Sequence, residues 1–195
     1  MTQIKKWLGL FFIILGLFLL FFLLYFNFIY KEKISLNVTN SFNKNVLSLK
    51  EEKERTTRTT PEIEIENLNI KAPIVEGTEF ENLEKGVGHH KNTPMPGLTG
   101  NVVLAGHGWY PGKNPYYKVF YNLDKLKIGD EIIIYYNKGK FIYEVIDQKI
   151  VSPKDTEILE QTEDPILTLY TCFPHFTAKE RLVYVARLLY WEKNQ

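Results

Sequence analysis

From Trp7 to Tyr30 the chain runs for 24 residues without a charged side chain, most of them Leu, Phe and Ile. At 1.5 Å rise per residue a helix of that length reaches roughly 36 Å, enough to cross the hydrocarbon core of a bilayer. A cleavable signal peptide has an apolar region of only about 7–15 residues, followed by a small-residue cleavage site. Neither condition is met, so the sequence predicts an uncleaved transmembrane anchor over 7–30, with the lipid bilayer as a partner. Lys5 and Lys6 precede the run, while Lys31 and Lys33, offset by Glu32, follow it, so flanking charge is nearly balanced. The leading tail, 1–6, has no room for a folded domain. The N-terminus is therefore placed in the cytoplasm and the bulk of the chain on the far side of the cell membrane.

Residues 31–61 turn polar, with the charge run Glu51-Glu52-Lys53-Glu54-Arg55 and then Thr56, Thr57, Thr59 and Thr60 before Pro61. This composition predicts a stalk, within which the spaced apolar residues Leu36, Val38, Phe42, Val46 and Leu47 allow a short helix. The remainder, 62–195, is long enough for one compact domain.

Within that domain the signals are short β-rich runs between turns. Ile63, Ile65 and, after a break, Leu68 and Ile70 alternate with polar residues and predict a half-buried strand. Asn101 to Ala105, Glu131 to Tyr136, Lys140 to Ile146, Pro165 to Thr171 and Arg181 to Leu189 read as further strands. Asn137-Lys138-Gly139 supplies residues that tolerate positive φ in a hairpin turn. Helical content is expected to be small, confined to Phe120–Leu126 and the stretch after Phe80. The pattern predicts an all-β barrel or sandwich.

The 195-residue chain carries 24 basic and 23 acidic side chains, a formal net charge of +1. No field of one sign is present to recruit nucleic acid. Its single cysteine, Cys172, excludes an intramolecular disulfide framework and leaves a buried packing residue or a reactive thiol. A catalytic thiol needs exposure and a proton acceptor or cation nearby. Cys172 ends the run Ile166–Thr171, where a side chain projects from a strand rim. His107 also ends a strand, with Gly106 and Gly108 leaving its ring uncrowded; His89, His90 and His175 are its competitors. Arg181 opens the strand after Cys172, so antiparallel pairing would return it beside the thiol as a donor for a developing oxyanion. One cysteine and scattered histidines lack zinc-site spacing, and no metal or other cofactor is expected. Glu76, Glu79, Glu81 and Glu84 leave a calcium site open, but solvated carboxylates are the expectation.

Thr168-Leu169-Tyr170-Thr171-Cys172, followed by Arg181-Leu182-Val183 and preceded by Asn101-Val102-Val103-Leu104-Ala105-Gly106-His107, resembles the sortase family of cell-surface cysteine transpeptidases. The likeness runs from about Ile63 to Leu189. Thr171-Cys172-Phe173-Pro174 and the N-terminal anchor are most similar to its classes D and E. The resemblance implies a closed β-barrel of about eight strands with short helices and the site at one end. It also implies a reaction: Cys172 attacks a Leu-Pro-x-Thr-Gly-like sorting signal after its Thr and holds the acyl group as a thioester. His107 protonates the leaving amine and deprotonates the incoming one, and Arg181 steadies substrate and oxyanion. Thr171 matches a family position that contacts the substrate threonine; Ala105 and Trp109, on either side of His107, are further substrate-contact candidates. The implied partners are surface proteins bearing such a signal and an amine on a cell-wall precursor or pilin. The alternatives are a membrane-anchored cysteine peptidase, in which water takes the place of the amine, and a non-catalytic binding module on the same barrel.

Overall fold

The computed structural model describes residues 15–29, 33, 44, 46 and 60–193. Residues 15–29 are helical and exposed. The expected tail (1–6), both ends of the expected anchor and most of the expected stalk lie outside the described residues. Among the described residues no helix is long and apolar enough to cross a membrane. The chain divides into two units, Met1–Glu54 and Arg55–Gln195.

The second unit is a closed barrel of eight strands: β1 (Glu62–Ile65), β2 (Ile70–Glu76), β3 (Val87–His89), β4 (Gly100–Gly106), β5 (Glu131–Tyr136), β6 (Gly139–Val151), β7 (Pro165–Phe173) and β8 (Glu180–Lys193). Their order around the barrel is β1-β2-β3-β4-β7-β8-β6-β5, and β5 pairs with β1 to close it. Closure removes the sheet edges that a chain this rich in short strands would otherwise expose. The β2–β3 and β4–β7 pairs are parallel and the others antiparallel.

The apolar alternation at the start of the domain forms two strands, where the sequence predicted one. A 3-10 turn, Glu66–Leu68, closes on Asn69 in the left-handed region (φ 51°), and Ile65 then faces Ile70 across the hairpin. Asn tolerates this conformation better than most side chains, so the chain reverses there, at the break where the apolar phase shifts between Ile65 and Leu68. The β5–β6 turn has positive φ at Asn137 and Lys138, as a two-residue hairpin loop requires, and Gly139 is already paired with Tyr136. Among the described residues of the second unit, helix is limited to one α-turn, Phe80–Leu83, and four 3-10 turns.

Period-2 alternation sorts the side chains. Ile63, Ile65, Val102, Leu104, Leu167, Leu169, Leu182, Tyr184 and Ala186 point inward into one core. Burying each of the larger ones is worth about 1.5–3 kcal/mol. Phe120, Leu123 and Leu126, from the β4–β5 connection, join that core, and Phe120 N–H donates to the His107 carbonyl at 3.0 Å. The opposite set on β7 and β8, Thr168 and Val183, is also buried although it faces outward. The cover is the β6–β7 connection: Ile158, Glu160 and Gln161 enclose a space with Thr168 and Val183 on the outer barrel wall.

Candidate active site

At one rim of the barrel β4, β7 and β8 deliver three side chains to a single cleft of about 320 Å³, whose walls include Ala105, His107, Thr171, Cys172 and Arg181. The parallel register sets Gly106 opposite Thr171 as the last pair of β4 with β7, so His107 and Cys172 are the next residues beyond it. The antiparallel register sets Cys172 opposite Arg181. Residues directly opposite each other share a face, so thiol and guanidinium stand on the same side of the sheet. The cysteine is free and partly exposed.

Arg181 is steadied by the β7–β8 turn. Its Nη1 donates to the Glu180 carbonyl at 2.9 Å and the Ala178 carbonyl at 3.3 Å. That turn is built by the Thr177 and Ala178 amides donating to the Pro174 carbonyl, with Ala178 left-handed. A planar guanidinium held on one nitrogen keeps its remaining donors in a fixed fork.

His107 sits among aromatic rings, with centroids 5.4 Å from Phe80, 5.9 Å from Tyr110 and 6.0 Å from Tyr117. Burial among them pushes its imidazole below its ordinary pKa, with the Glu84 carboxylate pulling weakly the other way. Its Nε2 is buried without a hydrogen-bond partner among the described residues. Glu84 is itself held by the Tyr117 hydroxyl. Close approach of the β4 exit to β7 rests on Gly108, where a Cβ would stand 2.7 Å from the Cys172 carbonyl oxygen and 3.0 Å from Thr171 Oγ1.

The other candidates fall in different places. Thr171 is buried at the floor, its hydroxyl donating to the Gly106 carbonyl at 2.8 Å, so it ties β7 to β4 beneath the thiol. Ala105 lines the cleft, where a larger side chain would fill it. Trp109 is not among the cleft residues; its ring packs edge-on against Phe176 at 5.0 Å, joining the loops after β4 and β7. His89 is buried in the barrel wall, its Nδ1 2.8 Å from Glu76 and its Nε2 3.0 Å from the Thr93 hydroxyl. His175 stacks on Tyr121 at 4.5 Å. Glu79 pairs with Lys91 at 2.6 Å, and this bond holds its carboxyl down at about 2. No group of three or more metal-ligating side chains occurs among the described residues.

His90, one of the competing histidines, lines the cleft, as do Tyr170 and the β6–β7 residues Asp155, Thr156 and Ile158, which the sequence did not single out. Tyr170 carried a readable signal, since it lies two residues before Cys172 on the same strand and so on the same face. The β6–β7 residues carried none, because their place depends on a connection folding back over the outer wall.

The sortase domain family matches residues 63–189. Sortase D of Bacillus subtilis is 40% identical over 113 residues, covering 57% of this chain and 53% of that protein. Sortase SrtE1 of Streptomyces coelicolor is 30% identical over 141 residues, covering 62% of this chain and 38% of that protein. The chain thus matches about half the length or less of these curated relatives. Among solved structures, the Clostridium perfringens Sortase D5 transpeptidase superposes with a TM-score of 0.59 at 33% identity, covering 72% of this chain and 88% of that one. Sortase C-3 of Streptococcus pneumoniae gives 0.63 at 27% identity, covering 71% and 66%. The chain belongs to the sortase family, and among its relatives are members of classes D and E.

Proposed function

We propose that this chain is a transpeptidase that cleaves a Leu-Pro-x-Thr-Gly-like sorting signal after its Thr and passes the acyl group to a cell-surface amine. The observation that carries the reading is the placement of Cys172 opposite Arg181 on one face of the rim, with His107 in the same cleft. The Cys172 sulfur, as thiolate, adds to the Thr carbonyl carbon. The oxygen takes the negative charge, and the free donors of the Arg181 fork stabilise it. Collapse expels the Gly amine, to which the His107 imidazolium gives its proton, leaving a thioester. An incoming amine loses a proton to neutral His107 as it attacks that thioester, and the thiolate leaves. The unpaired, buried Nε2 suits this role because no competing partner among the described residues has to be displaced. Ala105 and Thr171 shape the floor under the scissile bond, and Trp109 braces the rim through Phe176.

The substrates on this reading are surface proteins ending in such a signal, and the acceptor is an amine of a cell-wall precursor or a pilin. The uncharged run 7–30 supports a single-pass anchor with the N-terminus in the cytoplasm and residues 62–195 outside. The test is product analysis on the full chain with a Leu-Pro-x-Thr-Gly peptide, with and without an added amine. Amine-capped product cut after Thr supports transfer. Hydrolysed product alone, whatever amine is supplied, makes the protein a peptidase, and no cleavage of any sorting-signal peptide makes it a binding module.

A further inference from the structure

The β6–β7 connection, residues 152–164, leaves the rim beside Arg181, crosses the outer wall and re-enters the barrel at Pro165, beside Gly100 at the start of β4. On the way Asp155, Thr156, Ile158 and Leu159 line the catalytic cleft. A connection of this kind is normally mobile, and few of its own backbone groups pair locally. Its fixed point is a pair of side-chain amides.

β3 is too short to reach the first half of β4; its pairing stops at Leu104 and Ala105. The edge of β4 beyond that is completed by side chains and loops. Val103 N–H donates to the Thr93 hydroxyl at 3.3 Å, and the Val103 carbonyl accepts from His90 N–H at 2.8 Å. At Asn101 the completing group is the Gln161 amide: Asn101 N–H donates to Gln161 Oε1 at 3.0 Å, and Gln161 Nε2 donates back to the Asn101 carbonyl at 3.4 Å. A primary amide offers the donor and acceptor pair that a neighbouring strand would. Gln161 Nε2 also holds the Leu159 carbonyl at 3.0 Å. The Asn101 side chain grips the same segment from the other side. Buried at 4% exposure, its Nδ2 donates to the Ile158 carbonyl at 3.0 Å and the Glu160 carbonyl at 3.1 Å. Its Oδ1 accepts from the Thr168 hydroxyl on β7 at 2.8 Å, which fixes the amide's orientation. Gly100 makes room for this arrangement, since a Cβ there would stand 2.7 Å from Gln161 Oε1.

We propose that Asn101 and Gln161 form an amide latch that holds residues 152–164 as a preformed wall of the cleft, so that they set affinity for the sorting signal without touching it. Both are positioning residues. The proposal rests on the transpeptidase reading for its substrate, and on the hydrogen-bond network alone for its mechanics. Because the latch lies at the far end of the connection from Cys172 and Arg181, its loss acts on the wall and leaves the reacting groups in place.

The test compares the full chain in detergent with Gln161→Ala, Asn101→Asp, Thr168→Val and Thr168→Ser. Asn101→Asp keeps the acceptor for Thr168 but loses both donors, and Thr168→Ser keeps the hydroxyl. Hydrogen exchange at residues 153–160 is expected to speed up about tenfold in the first three variants, as loss of one or two net hydrogen bonds implies. KM for the sorting-signal peptide is expected to rise about five- to tenfold with kcat changed less than about twofold, the signature of lost binding without lost chemistry. Thr168→Ser is expected to match the wild type on both readouts. Unchanged exchange at 153–160 in Gln161→Ala and Asn101→Asp overturns the latch, as does a parallel fall of kcat and kcat/KM together with thermal stability. Should the wild type turn over no sorting-signal peptide, the transpeptidase reading fails, and the exchange comparison still decides the latch.

Discussion

Cys172 on β7 stands directly opposite Arg181 on β8, and the guanidinium is tied by Nη1 to the Ala178 carbonyl of the turn that joins their strands and to the Glu180 carbonyl at the start of β8. The pairing makes thiol and guanidinium neighbours by strand register, so their spacing is set by the sheet itself. A site on paired strands is more sharply fixed than one on loops.

Arg181→Lys is expected to lower kcat by roughly 10²-fold, the scale of losing one oxyanion donor, with the barrel intact by circular dichroism. Lysine keeps the charge but loses the planar fork that the Glu180 and Ala178 carbonyls orient. Steady-state kinetics with a sorting-signal peptide checks this, and a variant as active as wild type would remove Arg181 from the transition state.

Gly108→Ala is expected to reduce kcat by roughly 10²-fold, because a displacement of about an ångström between reacting groups costs that much. The added methyl would meet the Cys172 carbonyl oxygen at 2.7 Å, forcing the β4 exit and its His107 away from the thiol. The check is kcat measured alongside the melting temperature, which is expected to fall far less than activity does.

Burial lowers the His107 pKa from its ordinary 6.5, so the unfolded chain binds the proton more tightly than the folded one. Stability therefore rises with pH through the window between the lowered and the ordinary value, and is lost as pH falls below about 6.5. Melting curves between about pH 5 and 8 are expected to show this loss in the wild type and a smaller one in His107→Gln. The rate should follow a bell-shaped profile set by Cys172 and His107. Glu84→Gln, which removes the carboxylate holding the His107 pKa up, should shift the histidine limb to lower pH.

The Tyr143 hydroxyl is buried in the core without a partner among the described residues, and burial raises its pKa. Tyr143→Phe is expected to stabilise the barrel by about 1 kcal/mol, since an unsatisfied buried hydroxyl costs about 1–3. Urea denaturation checks this through a higher midpoint at unchanged slope.

Much of this fold was legible in the residues. Glu131–Tyr136 has the same ends in sequence and structure, and the turn after it was readable from Asn137-Lys138-Gly139, with positive φ falling on Asn137 and Lys138. The hairpin at Asn69 was missed because Leu68 and Ile70, although out of phase with Ile63 and Ile65, were read as one strand across a break, where the chain in fact reverses direction. β3 is three residues long, too short for any period, and takes its place from pairing with β2 and β4. β8 runs past the expected Leu189 to Lys193, because its partner β6 extends back to Gly139, and register shifts at Ile142/Tyr143 and Val145/Asp147 blur its alternation. Cys172, His107 and Arg181 were singled out from strand ends together with the motifs that resemble the sortase family, and they line one cleft. The wall built by residues 152–164 depends on contacts between Asn101 and Gln161, sixty positions apart, and no local pattern records them.

The most direct measurement is intact mass spectrometry of the full chain incubated with a Leu-Pro-x-Thr-Gly peptide, beside Cys172→Ala. An acyl adduct ending at the substrate Thr, located on Cys172, discharged by an added amine and absent from the variant, is the predicted result. A folded wild-type protein that forms no adduct, or an adduct that persists when Cys172 is alanine, would contradict the assignment of Cys172 as the nucleophile.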